Sequence, residues 1–376
     1  MDYNKLMKII EKSTKPSSIF AKSILRENIS SQVLHLFTSI SFLLLCTIKL
    51  YKIHESSKNT PLGINIGALT YSRCERIVNF FVILSFGVTS LLYKYNSPTY
   101  ARFINDFQSS INKNCFGLTQ ITYIKKWIKF NRFILTLQSI TRILILTLHF
   151  SYNPFSWTFI NSLNFVLPFM CESGMILEQQ FILETCIYLQ SNFVFFHLFF
   201  DSLTKKVNES PGVDVYHVIK SVRRMHSRTI EFTRHIDSFF RFTVFNTFLF
   251  LTIYFICIIG MLLAPDQTLI RILNLISRAI FISITLCVSS YHFARVNYLS
   301  LQVFNKVHDL SLSPNLVRSI ETMNEINLFL LRISRDDVGL TFGGLCLVSV
   351  NFISSAAIIA LTIGLALPSF FNSNST

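Results

Sequence analysis

At 376 residues, with 51% hydrophobic residues, 14% charged residues and 38 Phe, the chain has too little polar surface for soluble domains and reads as a polytopic membrane protein. Its net charge of +14 comes without a basic run interleaved with aromatics, which excludes a nucleic-acid groove. The nine His are dispersed, the eight Cys show no paired spacing, and no GxGxxG, phosphate-binding loop, HExxH or nucleophile elbow occurs, so no enzyme activity, cofactor or metal is expected.

The first thirty residues lack the apolar core of a signal peptide and hold Lys5, Lys8, Lys12, Lys15, Lys22 and Arg26, so they are expected to stay in the cytosol. A crossing needs about 20 apolar residues for about 30 Å of hydrocarbon. Spans are expected near 33–51, 75–93 and 133–151. Arg142 falls in the middle of the third, where a cation costs about 2.5 to 3.5 kcal/mol and needs protein, water or a partner around it. Glu172 and Glu178 on the neighbouring fourth helix are candidate partners. Arg142 is then either one half of a structural ion pair or a ligand-contacting cation at the base of an outer cavity.

A fourth span is expected at 157–178. The apolar stretch 181–200 after it raises an eighth crossing, but that crossing would carry the basic residues of 201–241 outside. It reads instead as a cytosolic continuation of the fourth helix, over 179–203. Together with helices near 112–132, 214–240 and 314–333 it would form a packed cytosolic anchor. Val215, Val218, Ile219, Val222, Met225 and Ile230 recur at helical spacing to meet Phe181, Phe193 and Phe196. The stretch 208–212 breaks the pattern as a turn. Spans five and six are expected at 242–264 and 273–294, and the seventh at 338–367.

Alternate connections carry twenty-six Lys and Arg, while the opposite set holds only Lys49, Lys52, Lys58, Arg73, Arg76 and Arg271. The positive-inside rule then puts the N-terminus in the cytosol and the C-terminus outside. With that orientation the outer halves of the spans hold a group of polar side chains, Asn79, His149, Trp157, Asn161, Asn164, Tyr254, Ser277, Arg278 and Ser283. Such groups either satisfy one another between helices or line a pocket open to the outside.

The last span differs from the Phe-rich spans before it. Gly343, Gly344, Ser349, Asn351, Ser354, Ser355, Ala356, Ala357, Ala360, Thr362, Gly364 and Ala366 make it rich in small and weakly polar residues, suited to close packing or to lining a narrow pathway. No acidic ring lies in it above Asp337, so strong calcium selectivity is not expected.

Its end reads Thr362, Ile363, the five residues 364–368, then Ser369 and Phe370. This resembles the closing signature of invertebrate gustatory receptors, Thr-Tyr, five apolar residues and Gln-Phe, with Ile363 in place of Tyr and Ser369 in place of Gln. The stretch 334–345 is similar to the family's approach to that helix. The stretch 223–240 is similar to its entry into the fifth span, and 180–203 to its extended fourth helix, so the likeness covers the C-terminal half. The family belongs to the seven-transmembrane channel superfamily shared with odorant receptors. The resemblance implies a ligand-gated, non-selective cation channel in the plasma membrane, a homo- or hetero-tetramer whose four last helices surround the ion path. It further implies a small-molecule tastant bound from outside between spans two to six. Phe370 would be the hydrophobic gate, Ala366 would line the same face one turn earlier, and Ser369 would sit near the mouth, with Thr362 and Ile363 below them.

Two other classes fit a seven-helix chain. A G-protein-coupled receptor requires the C-terminus in the cytosol, which the loop charges oppose. A transporter usually shows internal repeats with paired interrupted helices, and neither is visible.

Overall fold

The computed structural model describes residues 14–58, 66–113, 116–151, 159–210, 212, 214–262, 269–317, 319–335 and 337–372. Within these, the side chains of 55–58, 66–75, 112–113, 142, 144–151, 159–165, 270 and 367–372 fall outside the description. The helices are α1 (Ile19–Ile24), α2 (Ile29–Lys58), α3 (Ile66–Tyr95), α4 (Ser97–Lys113), α5 (Gly117–Ser151), α6 (Phe159–Glu209), α7 (Tyr216–Leu262), α8 (Leu269–Ser311), α9 (Ile320–Ile333) and α10 (Val350–Asn372). A two-stranded antiparallel hairpin, β1 (Thr341–Phe342) and β2 (Cys346–Leu347), precedes α10.

The membrane helices are α2, α3, α5, α6, α7, α8 and α10. Among the described residues, stretches of α2, α3, α6, α7 and α8 are long and apolar enough to cross a bilayer, and Val350–Ala366 of α10 adds a shorter one. Their outward side chains are apolar, as a lipid-facing surface requires: Val33, Phe37 and Leu44 on α2, Phe133 and Leu137 on α5, Leu273 and Ile280 on α8 are all exposed. At 51 residues α6 is roughly 77 Å long, more than twice the hydrocarbon thickness. Its second half therefore continues out of the membrane, on the side that the basic loops mark as cytosolic.

That half is wrapped by protein. Phe181, Phe193 and Phe200 on α6, Ile219 on α7, Val303 and Val307 on α8, and Ile326 and Phe329 on α9 are wholly buried in one apolar core. Phe103, Phe107 and Ile111 on α4 join it. Glu184 on α6 ties the start of the chain to this core. Its carboxylate accepts from the backbone N–H groups of Ser17 and Ser18 at 2.6 and 2.7 Å and from the Tyr188 hydroxyl at 2.7 Å. The ring of His226 on α7 is also sealed in, 5.1 Å from both Phe196 and Phe329, with no hydrogen-bond partner for either nitrogen. Burial drives its pKa down to about 3, and the nearby Arg332 charge pushes the same way.

Three expected elements differ. The anchor helix expected at 112–132 is instead the first half of α5, running unbroken into the third span. Ahead of it lies α4, an amphipathic helix with Pro98 in its first turn, where a missing N–H costs nothing. The helix expected from 314 starts at Ile320, because Ser319 caps it by accepting from the Thr322 N–H at 3.1 Å. The last span expected at 338–367 is helical only from Val350. Before it the chain turns through Gly343 (φ 63°) and Gly344 (φ 80°), a left-handed pair that ends any helix and closes the hairpin.

Candidate functional site

The outer halves of α2, α3, α6, α7 and α8 enclose a cavity of about 140 Å³. That is close to the volume of engineered protein cavities that hold benzene. Val82, Ile83, Leu251, Phe281 and Ile282 give it apolar walls, and Lys49, Asn79, Glu172, Tyr254 and Arg278 give it polar points. Arg278 Nη1 on α8 donates to the Tyr254 hydroxyl on α7 at 3.1 Å, joining two adjacent membrane helices beside the cavity. Apolar walls with a few fixed donors and acceptors of both signs suit a small, compact molecule carrying one or two polar groups.

Of the polar residues expected at the outer side, the structure brings Asn79, Tyr254 and Arg278 together here. Ser277 is buried beside Arg278 and does not line the cavity, while Ser283 lines a different groove between α7, α8 and α10. Trp157 and the side chains of Arg142, His149, Asn161 and Asn164 lie outside the described residues. Lys49, which counts among the outer connections, and Glu172, a candidate partner of Arg142, also line the cavity. No spacing signal links them, since one ends the first span and the other sits mid-way down the fourth.

The other candidate partner of Arg142 is committed elsewhere. Glu178 Oε1 accepts from Thr89 at 2.7 Å and from the Tyr93 hydroxyl at 2.8 Å, and Tyr93 in turn lies 2.7 Å from Thr243 Oγ1. This buried chain ties α3, α6 and α7 together at their inner ends.

Helix α7 connects the cavity to α10. Leu251 and Tyr254 face the cavity, while one turn away Phe248 packs edge-on to Phe352 at 5.7 Å and to Phe342 at 6.5 Å. Higher up, Gly364 lets α10 approach Ile259, 3.7 Å from where a Cβ would stand. The packed face of α10 is thus Phe352, Ile353, Ala356, Ala360 and Gly364, at helical spacing. The opposite face, with Asn351, Ser355, Ile358, Thr362 and Leu365, is exposed, and the Thr362 hydroxyl donates back to the Ile358 carbonyl at 2.8 Å. Among the expected pathway residues, Thr362 and Ile363 are exposed and Ala366 is half-buried. Ser369 and Phe370 stand on the last turns of the same helix, with side chains outside the described residues.

No protein-family model matches the chain, and no curated protein matches it by sequence. Solved structures do match. The insect olfactory receptor OR5 from Machilis hrabei superposes with a TM-score of 0.68 at 13% identity, over 98% of this chain and 99% of that one. The chain has the fold of an insect olfactory receptor. The same receptor in complex with eugenol gives a TM-score of 0.66 at 13% identity, over 98% of this chain and all of that one. The shared fold makes this an all-α, multi-pass membrane protein with seven crossings. At 13% identity the likeness concerns the fold.

Proposed function

We propose that the chain is a gustatory-receptor-like chemoreceptor subunit that forms a ligand-gated, non-selective cation channel in the plasma membrane. A small molecule enters the outer cavity, contacts Tyr254 and Arg278, and favours the open arrangement by binding it better than the closed one. Only that difference in affinity moves the equilibrium. Four copies set their α10 helices around one axis, and Phe370 leaves that axis on opening.

The observation that carries this reading is the two-sided character of α10. One face is small and packed on α7, whose Tyr254 lines the ligand cavity. The other exposes Asn351, Ser355 and Thr362, the last with its hydroxyl turned back on the Ile358 carbonyl at 2.8 Å, a weakly polar face suited to a wet pathway shared between copies. The eugenol complex of the Machilis hrabei receptor supports a compact aromatic molecule as a first stimulus to try, beside tastants.

Whole-cell recording of the full chain, expressed alone and with G-protein signalling blocked, tests the proposal. The expected result is a ligand-evoked cation current that persists under the block. Current lost under the block, or a C-terminal tag reachable only after permeabilisation, sinks it.

A further inference from the structure

A second groove, of about 750 Å³, opens to the surface between α7, α8 and α10, on the inner half of the membrane. Thr252, Phe255, Leu286, Ile353, Ala357 and Leu361 line its body, which is almost wholly apolar. Along α10 it runs from Val350 to Leu361, roughly 16 Å of helix and about half the hydrocarbon thickness. Its length is therefore that of one leaflet.

The groove ends at Tyr291, Arg295 and Tyr298, around the inner limit of the sixth span. Arg295 Nη1 donates to the Tyr291 hydroxyl at 2.6 Å and Nε to the Tyr123 hydroxyl at 3.3 Å. The guanidinium lies 5.0 Å from the Trp127 ring and 5.4 Å from the Tyr291 ring. Rings and phenols hold the cation in place, yet no carboxylate among the described residues neutralises it. Of the five N–H groups of a guanidinium, three remain for an acceptor. Trp and Tyr gathered around a cation mark the headgroup level of a membrane protein.

We propose that this groove binds an anionic phospholipid of the inner leaflet, with an acyl chain along α10 and the phosphate on Arg295. Charge complementarity selects the lipid, since the groove is lined by a cation and by no Asp or Glu, with no carboxylate among the described residues beside Arg295. Because α10 forms one wall, the bound tail props the last helix against α7 and α8. The site stands whether or not the chain conducts.

The test uses the full chain in nanodiscs of phosphatidylcholine alone or mixed with phosphatidylserine, followed by native mass spectrometry of the lipid that stays bound. The wild type is expected to retain phosphatidylserine about tenfold over phosphatidylcholine: both carry the phosphodiester that Arg295 would hold, but choline cancels its charge, whereas phosphatidylserine keeps a net negative charge beside the cation. Arg295→Gln is expected to retain both lipids equally. Ala357→Trp, which fills the groove from the exposed face of α10, is expected to retain neither while melting at the wild-type temperature. Equal retention by the wild type, an unchanged preference in Arg295→Gln, or undiminished lipid in Ala357→Trp overturns the proposal. So does a protein helix occupying the groove in a cryo-electron microscopy map of the assembly.

Discussion

The Asp237 carboxylate on α7 holds Thr341, 104 residues later, by its backbone N–H at 2.6 Å and by its hydroxyl at 2.8 and 2.9 Å from the two oxygens. Arg241, one turn along, stands 3.6 Å from the same carboxylate. The hairpin that leads into α10 is thereby latched to the helix that carries a wall of the outer cavity. On the other side the Asn297 side chain of α8 donates to the Val338 carbonyl at 3.1 Å.

Breaking this latch tests its weight. Asp237→Ala leaves the Thr341 N–H without its acceptor, and the loss is expected at about 1 to 3 kcal/mol. A lower melting temperature in detergent is the first readout. In cells, a rise in current without stimulus is the second, since α10 loses a restraint. A variant that melts and conducts like the wild type shows that the latch is idle.

Gly344 has φ 80°, a conformation that costs an ordinary residue about 1 to 2 kcal/mol. A Cβ there would also meet the Arg241 side chain at 3.0 Å, a flexible neighbour able to move. Backbone strain is thus the main term. Gly344→Val is expected to destabilise clearly more than Gly344→Asn, because Asn enters the left-handed region readily. Equal losses would point to the steric contact instead.

In the outer cavity, Tyr254→Phe removes the acceptor of the Arg278 bond without changing the shape of the wall. The concentration for half-maximal current is expected to rise about three- to tenfold, at unchanged maximal current. Arg278→Gln is expected to act in the same direction. The double variant should fall short of the product of the two, as coupled neighbours do. Multiplicative effects would mean the pair does not act as a unit.

Cysteine scanning of α10 distinguishes its faces. Thr362→Cys is expected to react with an aqueous thiol reagent applied outside, and faster while the stimulus is present, whereas Gly364→Cys, on the packed face, stays protected. Equal protection of both positions argues for a lipid-facing helix.

The sealed His226 predicts a pH dependence. Its folded pKa of about 3 lies below the ordinary 6.5, so below pH 6.5 the unfolded chain takes up a proton that the folded anchor refuses. Stability is whole above pH 6.5 and declines as pH falls toward 3. Between pH 7.5 and 5 the group accounts for a loss of about 2 kcal/mol. His226→Leu should remove that part of the slope while keeping the Phe cage filled, which unfolding at the two pH values would show. An identical slope in the variant would assign the acid sensitivity to other groups.

Hydropathy and charge are properties of the chain itself. The seven membrane stretches, the basic inner rim and the reading of 181–200 as a cytosolic continuation need no neighbours to be legible, because lipid and membrane potential act on each segment separately. The periodic Val, Ile and Phe of 181–230 likewise announce a packed anchor. The small residues of the last helix announce a helix unlike the others.

What packing alone decided is where segments far apart in sequence meet. Asn79, Tyr254 and Arg278 share a cavity with Lys49 and Glu172 because five helices meet there, and no spacing within one helix encodes that meeting. Glu178 serves Thr89 and Tyr93 because α3 passes beside it. The twelve residues before Val350 look as apolar as a helix start, yet they turn back as a hairpin, since Asp237 and Asn297 supply the hydrogen bonds that a helix would otherwise make internally.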